Sequence, residues 1–303
     1  MNASAMNRRA CLFLMAAPLL PPIVSAGPIS QTPDSRPPRK DTEGPQDWVC
    51  PMDPDVRSDK PGTCPRCGMK LALHVPERVE YHLEMLTAPV VVQPNQKATL
   101  TFRILDPKSG EPVTQFELVH ERLMHLFLVS ENLQFFLHDH PVLQADGSFQ
   151  LQVRLPYGGM YRLLADFYPK GSVPQLTQET LYVAGVSSAG KLHPSREPSR
   201  AENLIATLRL EPEQPLTGLE TRLIYTLNPS AGMEPYLGAW GHMLAVSEDL
   251  IDMLHVHPFL ADGGPTEQFN VVFPRPGMYK IWTQFQRQGV VNTSVFNVPV
   301  MSL

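Results

Sequence analysis

The sequence predicts a mainly β protein: a small metal-knuckle module followed by two duplicated immunoglobulin-like or cupredoxin-like β-sandwich domains. Three observations predict it. Proline supplies 32 of 303 residues, about twice the usual share of roughly 5%. Each interior proline removes a helical hydrogen bond and clashes with the preceding turn, so coiled coils and helix bundles are excluded. Apolar residues also alternate with polar ones, at Val79, Tyr81, Leu83 and Met85, at Leu100, Phe102 and Ile104, and at Phe149, Leu151, Val153 and Leu155. That is the period of half-buried strands. Turn residues divide the runs: Asp106-Pro107-Lys108-Ser109-Gly110, Asp146-Gly147, Tyr157-Gly158-Gly159 and Asp262-Gly263-Gly264. Finally, residues 124–141 (MHLFLVSENLQFFLHDHP) align without a gap on 241–258 (GHMLAVSEDLIDMLHVHP), with nine of eighteen positions identical. The match resumes at Gly159-Met160-Tyr161 against Gly277-Met278-Tyr279, one residue out of register. A duplicated domain with loop drift gives that pattern. The Gly-Met-Tyr sites suit a tyrosine corner, in which a phenol caps backbone at the end of a sandwich.

The chain starts with features of an export signal. Arg8 and Arg9 precede an apolar run, Cys11 to Leu20, and Val24-Ser25-Ala26 supplies small residues for cleavage. Residues 1–26 therefore read as a signal peptide, with an uncleaved anchor as the alternative, and the expected location is periplasmic or secreted. The net charge of −5 argues against a nucleic-acid partner. Residues 27–47, rich in Pro, Ser, Gly and charge, read as a flexible linker. A module follows at 48–75, then sandwich repeat 1 at 79–185, a polar connector at 186–203, and sandwich repeat 2 at 204–303.

In the module, Cys64-x-x-Cys67 lets two thiolates converge on one ion, and Cys50 can return as a third ligand. Thiolates suit zinc or soft ions such as Cu(I). So short a module cannot bury enough core to fold alone; a structural metal would supply the missing stability. A redox Cys pair, or a disulfide with one spare thiol, is the alternative. Cys50-Pro51-Met52-Asp53-Pro54 and Cys64-Pro65-Arg66-Cys67-Gly68-Met69 resemble the heavy-metal-binding domain found beside copper/silver efflux adaptors and copper-transporting P-type ATPases. The resemblance covers about residues 48–73. It implies metal handling, not a reaction. Asp53 stands where that family usually has His, so Asp53 or His74 is the candidate fourth ligand.

Six of the ten histidines repeat as His-x12-His-x-His-Pro: His125, His138 and His140, then His242, His255 and His257. On a strand, residues i and i+2 share a face, so each His-x-His points two imidazoles the same way. The upstream His belongs to a paired strand, so three rings could converge in each repeat on Cu(II), Zn(II) or Ni(II). The competing reading is a histidine cluster that only hydrogen-bonds loop backbone. Met124, Met160, Met243, Met253 and Met278 read as core filling ahead of thioether ligands. Asp139, Asp166, Glu131 and Glu248 read as solvated or turn residues.

The function expected from these residues is an exported metal-binding protein for copper, zinc or a related heavy metal, acting in sequestration or trafficking. Its partners would be metal ions and a metal efflux or copper-assembly complex. The alternative is a docking module with metal only at the cysteines. No enzyme is expected, because no nucleophile–base motif, phosphate loop or His-Glu-x-x-His is present. A blue-copper site needs a sandwich cysteine, and none follows Cys67. A copper oxidase built on the histidines stays open.

Overall fold

A computed structural model describes residues 48–51, 56–65, 69–73, 79–259 and 261–303. The expected signal peptide and linker, together with Asp53, Cys67 and His74, lie outside the described residues. Among the described residues there is no helix, hence none long and apolar enough to cross a membrane.

The module has three two-residue strands, β1 (Trp48–Val49), β2 (Arg57–Ser58) and β3 (Ala72–Leu73), with β1 central. Repeat 1 contains β4 (His82–Ala88), β5 (Lys97–Leu105), β6 (Phe116–Glu117), β7 (Met124–Ser130), β8 (Phe136–Asp139), β9 (Val142–Leu143), β10 (Phe149–Arg154), β11 (Gly159–Pro169) and β12 (Gln175–Val183). Its two sheets run β4-β5-β10-β9 and β12-β11-β7-β8, with β6 on β11. Repeat 2 contains β13 (Ser199–Arg200), β14 (Ile205–Glu211), β15 (Glu220–Asn228), β16 (Met233–Glu234), β17 (His242–Ser247), β18 (Met253–Val256), β19 (Thr266–Val272), β20 (Gly277–Arg287) and β21 (Val290–Val300). Its sheets run β13-β14-β15-β19 and β16-β20-β17-β18, with β21 on β20. Repeat 2 thus copies repeat 1 apart from the short edge strands, β9 beside β10 in the first and β13 beside β14, the counterpart of β4, in the second.

The alternation does what its period requires. On β5, Leu100, Phe102 and Ile104 are fully buried against Phe149 of β10 and Tyr161 and Phe167 of β11. Leu83 joins them, while Val79 and Tyr81 precede β4 rather than belonging to it. In repeat 2, Tyr225, Phe269, Phe285 and Phe296 fill the matching core. Each fully buried large apolar side chain contributes about 1.5–3 kcal/mol.

Strands β7 and β17 depart from alternation, because every residue in them is buried. Met124, Leu126 and Leu128 face the core of repeat 1, and Met243 and Ala245 that of repeat 2. Phe127, Val129, Leu244 and Val246 point the other way, into a third cluster with Leu133, Leu164, Leu250, Met253 and Trp282. The two repeats therefore pack through the outer faces of their long sheets. Trp282 stacks on Phe136 with ring centroids 5.1 Å apart and planes 8° from parallel. The connector takes part in this packing. Leu192 enters the third cluster, its N–H donates to Glu248, and Ser195 and Asn297 exchange backbone hydrogen bonds of 3.0 and 2.9 Å.

Both tyrosine corners are present. Tyr161 Oη lies 3.0 Å from the Tyr157 carbonyl and accepts from the Tyr157 N–H at 2.9 Å. Tyr279 Oη lies 3.0 Å from the Arg275 carbonyl and 2.7 Å from Asp252 Oδ2. Replacing Tyr161 with Phe strands both Tyr157 groups, so the chain should lose about 1–3 kcal/mol. Urea denaturation of the variant measures this; an unchanged midpoint would remove the corner from the account.

Candidate metal centre

In the module, Cys50 and Cys64 are buried beside Met69 and Leu71, with Trp48 and Val56 around them. Cys64 lies beside the antiparallel bridge of Thr63 with Lys70, where its N–H donates to the Met69 carbonyl at 2.7 Å and Leu71 N–H to the Gly62 carbonyl at 2.9 Å. Tyr168 of β11 packs against the same cluster, so the module rests on repeat 1. Burial, then the charges of Glu117 and Cys50, push its phenol up to about 12.

The histidines gather elsewhere, beside the apolar packing between the repeats. On β7, His125 projects on the same outward face as Phe127 and Val129; on β17, His242 does so with Leu244 and Val246. Strand β8 pairs with β7 and β18 with β17. They bring His138 and His255 alongside, and His140 and His257 follow just past the strand ends. One trio per repeat was expected to converge separately. The structure instead merges both trios, because the apolar outward faces of β7 and β17 must cover each other and the rings beside them meet. His125 and His242 stack across the repeats with centroids 5.4 Å apart, as far as His138 lies from His242. One donor atom each from His125, His138 and His242 lies within 4.8 Å of the others, and the same holds for His242, His255 and His257. A ring of Phe127 seals the apolar side, stacked on His138 at 4.2 Å and tilted on His255 at 4.6 Å.

Hydrogen bonds on the outside of the cluster fix where the ring protons sit. His125 Nε2 is 2.9 Å from the Val119 carbonyl, and His242 Nε2 is 2.9 Å from the Tyr236 carbonyl. A carbonyl only accepts, so these Nε2 atoms carry the proton and each Nδ1 keeps its lone pair. Both carbonyls are aimed by two-residue turns of left-handed backbone, His120-Glu121 (φ 45° and 65°) and Leu237-Gly238 (φ 51° and 75°). His138 Nδ1 donates to Gln284 Oε1 at 2.7 Å, and His255 Nδ1 donates to Asp166 Oδ2 at 2.8 Å. Each ring therefore borrows its outer acceptor from the opposite repeat. In the neutral ring, Nε2 of both then faces inward as a lone pair. His138 Nε2 stands 3.0 Å from His125 Nδ1, two acceptors in contact. His140 Nε2 reaches the same His125 Nδ1 at 3.2 Å, and His257 Nε2 reaches His242 Nδ1 at 3.1 Å. His255 Nε2 is buried with no hydrogen-bond partner.

Burial favours the neutral form of His125, His138, His140, His242 and His257. It pushes His125 down to about 4 and His140 to about 3, with the charges of neighbouring imidazoles adding to the effect. His138, His242 and His257 are held well below 6.5 for the same leading reason. Near pH 7 their lone pairs are available to a cation without first shedding a proton. Imidazoles whose other nitrogen donates to a carbonyl or carboxylate are the arrangement that metal sites use to orient their ligands.

Three participants escaped the sequence reading. Asp166, expected in a turn or in water, is an interior residue of β11 and 1% exposed, because the packing of the repeats buries its strand on both faces. Gln284 is its counterpart on β20, each lying seven residues past the glycine of a Gly-Met-Tyr site. A polar residue inside a strongly apolar strand was the available signal. His120 packs on His257 with centroids 3.7 Å apart, and no pattern marked it because repeat 2 has Leu237 there. Asp139 accepts from the backbone N–H of His140 just past β8, and Glu131 from that of Met160 at the start of β11. Met124 and Met243 are core filling.

Several known proteins and families resemble parts of this chain. No curated protein matches it in sequence. Among solved structures, the Escherichia coli adhesin FdeC is 14% identical over 76% of this chain and 67% of its own, with a TM-score of 0.26. Fibronectin(III)-like modules of Clostridium thermocellum CbhA are 11% identical over 73% of this chain and 95% of theirs, at 0.21. An Antarctic bacterial ice-binding adhesin is 6% identical over 75% of this chain, which spans half that adhesin's length, at 0.23. Residues 48–74 match the heavy metal binding domain. Residues 77–184 and 201–302 each match one domain of unknown function, DUF8832, and the chain belongs to that family, carrying its unit twice behind a heavy-metal-binding module.

Proposed function

We propose that this protein captures and hands over a transition-metal ion of the copper or zinc type, in an extracytoplasmic compartment, by exchangeable ligands and without covalent chemistry. Two donor sets support the reading. The module offers buried thiols, suited to soft ions, and the space between the repeats offers imidazoles, suited to Cu(II) and Zn(II). The observation that carries it is the contact of His138 Nε2 with His125 Nδ1 at 3.0 Å, where the outer hydrogen bonds leave neither atom a proton. A purely hydrogen-bonded cluster would place a donor there; a bound cation turns the same contact from repulsive to favourable. His140 also lines an open hollow with Leu118, Arg122 and Asp139, which gives an ion a way in.

Stripped full-length chain, dialysed against Cu(II) or Zn(II) and analysed for metal, should retain more than one ion. Replacing His138 and His140 together with Ala should lower that number with the far-ultraviolet spectrum intact. One ion per chain, lost with Cys64→Ser and untouched by the histidine change, would favour a docking module that holds metal at its cysteines alone.

A further inference from the structure

The two halves of the histidine cluster differ, and the difference lies in groups that the repeat symmetry should have made equal. Behind repeat 1's trio stands Gln284, a neutral amide with both ends used. Its Oε1 accepts from His138 at 2.7 Å and its Nε2 donates to Thr293 Oγ1 at 3.2 Å. Behind repeat 2's trio stands Asp166, whose side chain and that of His255 are each 1% exposed. Only one carboxylate oxygen is satisfied: Oδ2 takes the His255 proton, while Oδ1 is buried with no hydrogen-bond partner. On the inner side of the same ring, His255 Nε2 is also buried and without a partner. A buried carboxylate half-satisfied in this way is costly unless positive charge lies close by. A cation on His255 Nε2, whether a proton or a metal ion, supplies that charge through the ring and satisfies the orphaned nitrogen at once. Repeat 2's side also has a fourth imidazole. His120 reaches across from repeat 1, 3.7 Å from His257 and 5.6 Å from His242 by ring centroids. The matching position in repeat 2 is Leu237, which offers repeat 1's trio nothing in return.

We infer that the centre is ordered, and that its first ion, a divalent cation of the imidazole-binding class, is held on the repeat 2 side by His242, His255 and His257, with His120 beside them and Asp166 balancing the charge. The trio His125, His138 and His140, backed by a neutral amide, is the weaker, second position. This rests on the metal-binding reading above. Two dications so close together repel each other, and the only carboxylate among the outer acceptors belongs to the first position, so the second ion binds less tightly.

The test titrates Co(II), displaced afterwards by Zn(II), into stripped full-length chain. Thiolate-to-metal absorption marks ions in the cysteine module, and ligand-field bands without it mark ions on imidazole. Asp166→Asn keeps the shape and the hydrogen bond but removes the charge. It should weaken the tightest imidazole-bound ion by about 10–100-fold, the usual loss when a ligand's outer partner is changed. His120→Leu, which copies repeat 2, should weaken the same ion. His255→Ala should remove it, whereas His138→Ala should remove the weaker ion and leave the tight one. Thermal melts of each variant confirm folding. Loss of the tight ion in His138→Ala with retention in Asp166→Asn would overturn the ordering and leave metal binding standing. Complete absence of imidazole-type Co(II) spectra from the unsubstituted chain would overturn the metal-binding reading itself, and this ordering with it.

Discussion

Phe127→Ala should destabilise the chain by about 3–5 kcal/mol, the usual cost of deleting a buried aromatic ring, and should also weaken metal binding. The ring is 1% exposed and belongs to the packing between the repeats. It also stacks on His138 and touches His255, so the cavity left behind frees one imidazole from each repeat. Ligands held less firmly bind a cation less tightly, by about tenfold on the scale of other supporting groups. Phe296→Ala is the control. Phe296 is as deeply buried, but in the core of repeat 2. It should cost similar stability with metal affinity retained. Equal metal affinities for the two variants would show that Phe127 acts on the fold alone.

Metal-free chain should lose stability steeply as pH falls from about 6.5 towards 4. His125, with an ordinary value of 6.5, is pushed down to about 4 by burial and then by the charge of His255; His140, likewise buried, goes to about 3. A histidine whose folded value lies below its unfolded value is protonated first in the unfolded chain. Its contribution is fully present above the unfolded value and is lost as pH falls from there towards the folded value. For His125 alone the span amounts to roughly 3 kcal/mol. The groups facing it include His120, Arg122, His138, His140, Asp166, His242 and His255. Arg122 works against protonation and Asp166 in its favour. Urea midpoints of stripped chain across this range measure the loss. Adding Zn(II) should raise the midpoint at pH 7, and the gain should vanish as protons displace the ion. A flat profile would mean that the rings are not buried as described.

Much of the fold was legible because period and turn chemistry are local. Leu100, Phe102 and Ile104 announced a strand with one face on a core, and that is where they lie. The duplication was equally plain, since His125 and His242 sit in runs that align without a gap. The merging of the two trios was not legible. It follows from Phe127 and Leu244 facing away from their own sandwiches, and a wholly apolar strand does not say which of its faces meets a second domain. Asp166 and Gln284 were hidden for a related reason. Each serves a histidine of the other repeat, 89 and 146 residues away in sequence, a distance at which spacing carries no information. The cysteine motif stood out through its Cys-x-x-Cys spacing, although Cys67 lies beyond the described residues.

The crossing of outer acceptors between the repeats has a consequence for how such a protein can diversify. Two identical single-unit chains paired about a two-fold axis could build a symmetric version of this cluster, but every change in one would appear in the other. Joining the units in one polypeptide releases that constraint: one copy keeps a carboxylate where its sister has an amide, and one turn carries an imidazole where the other carries leucine. Fusion is what allows a symmetric scaffold to hold an asymmetric receptacle.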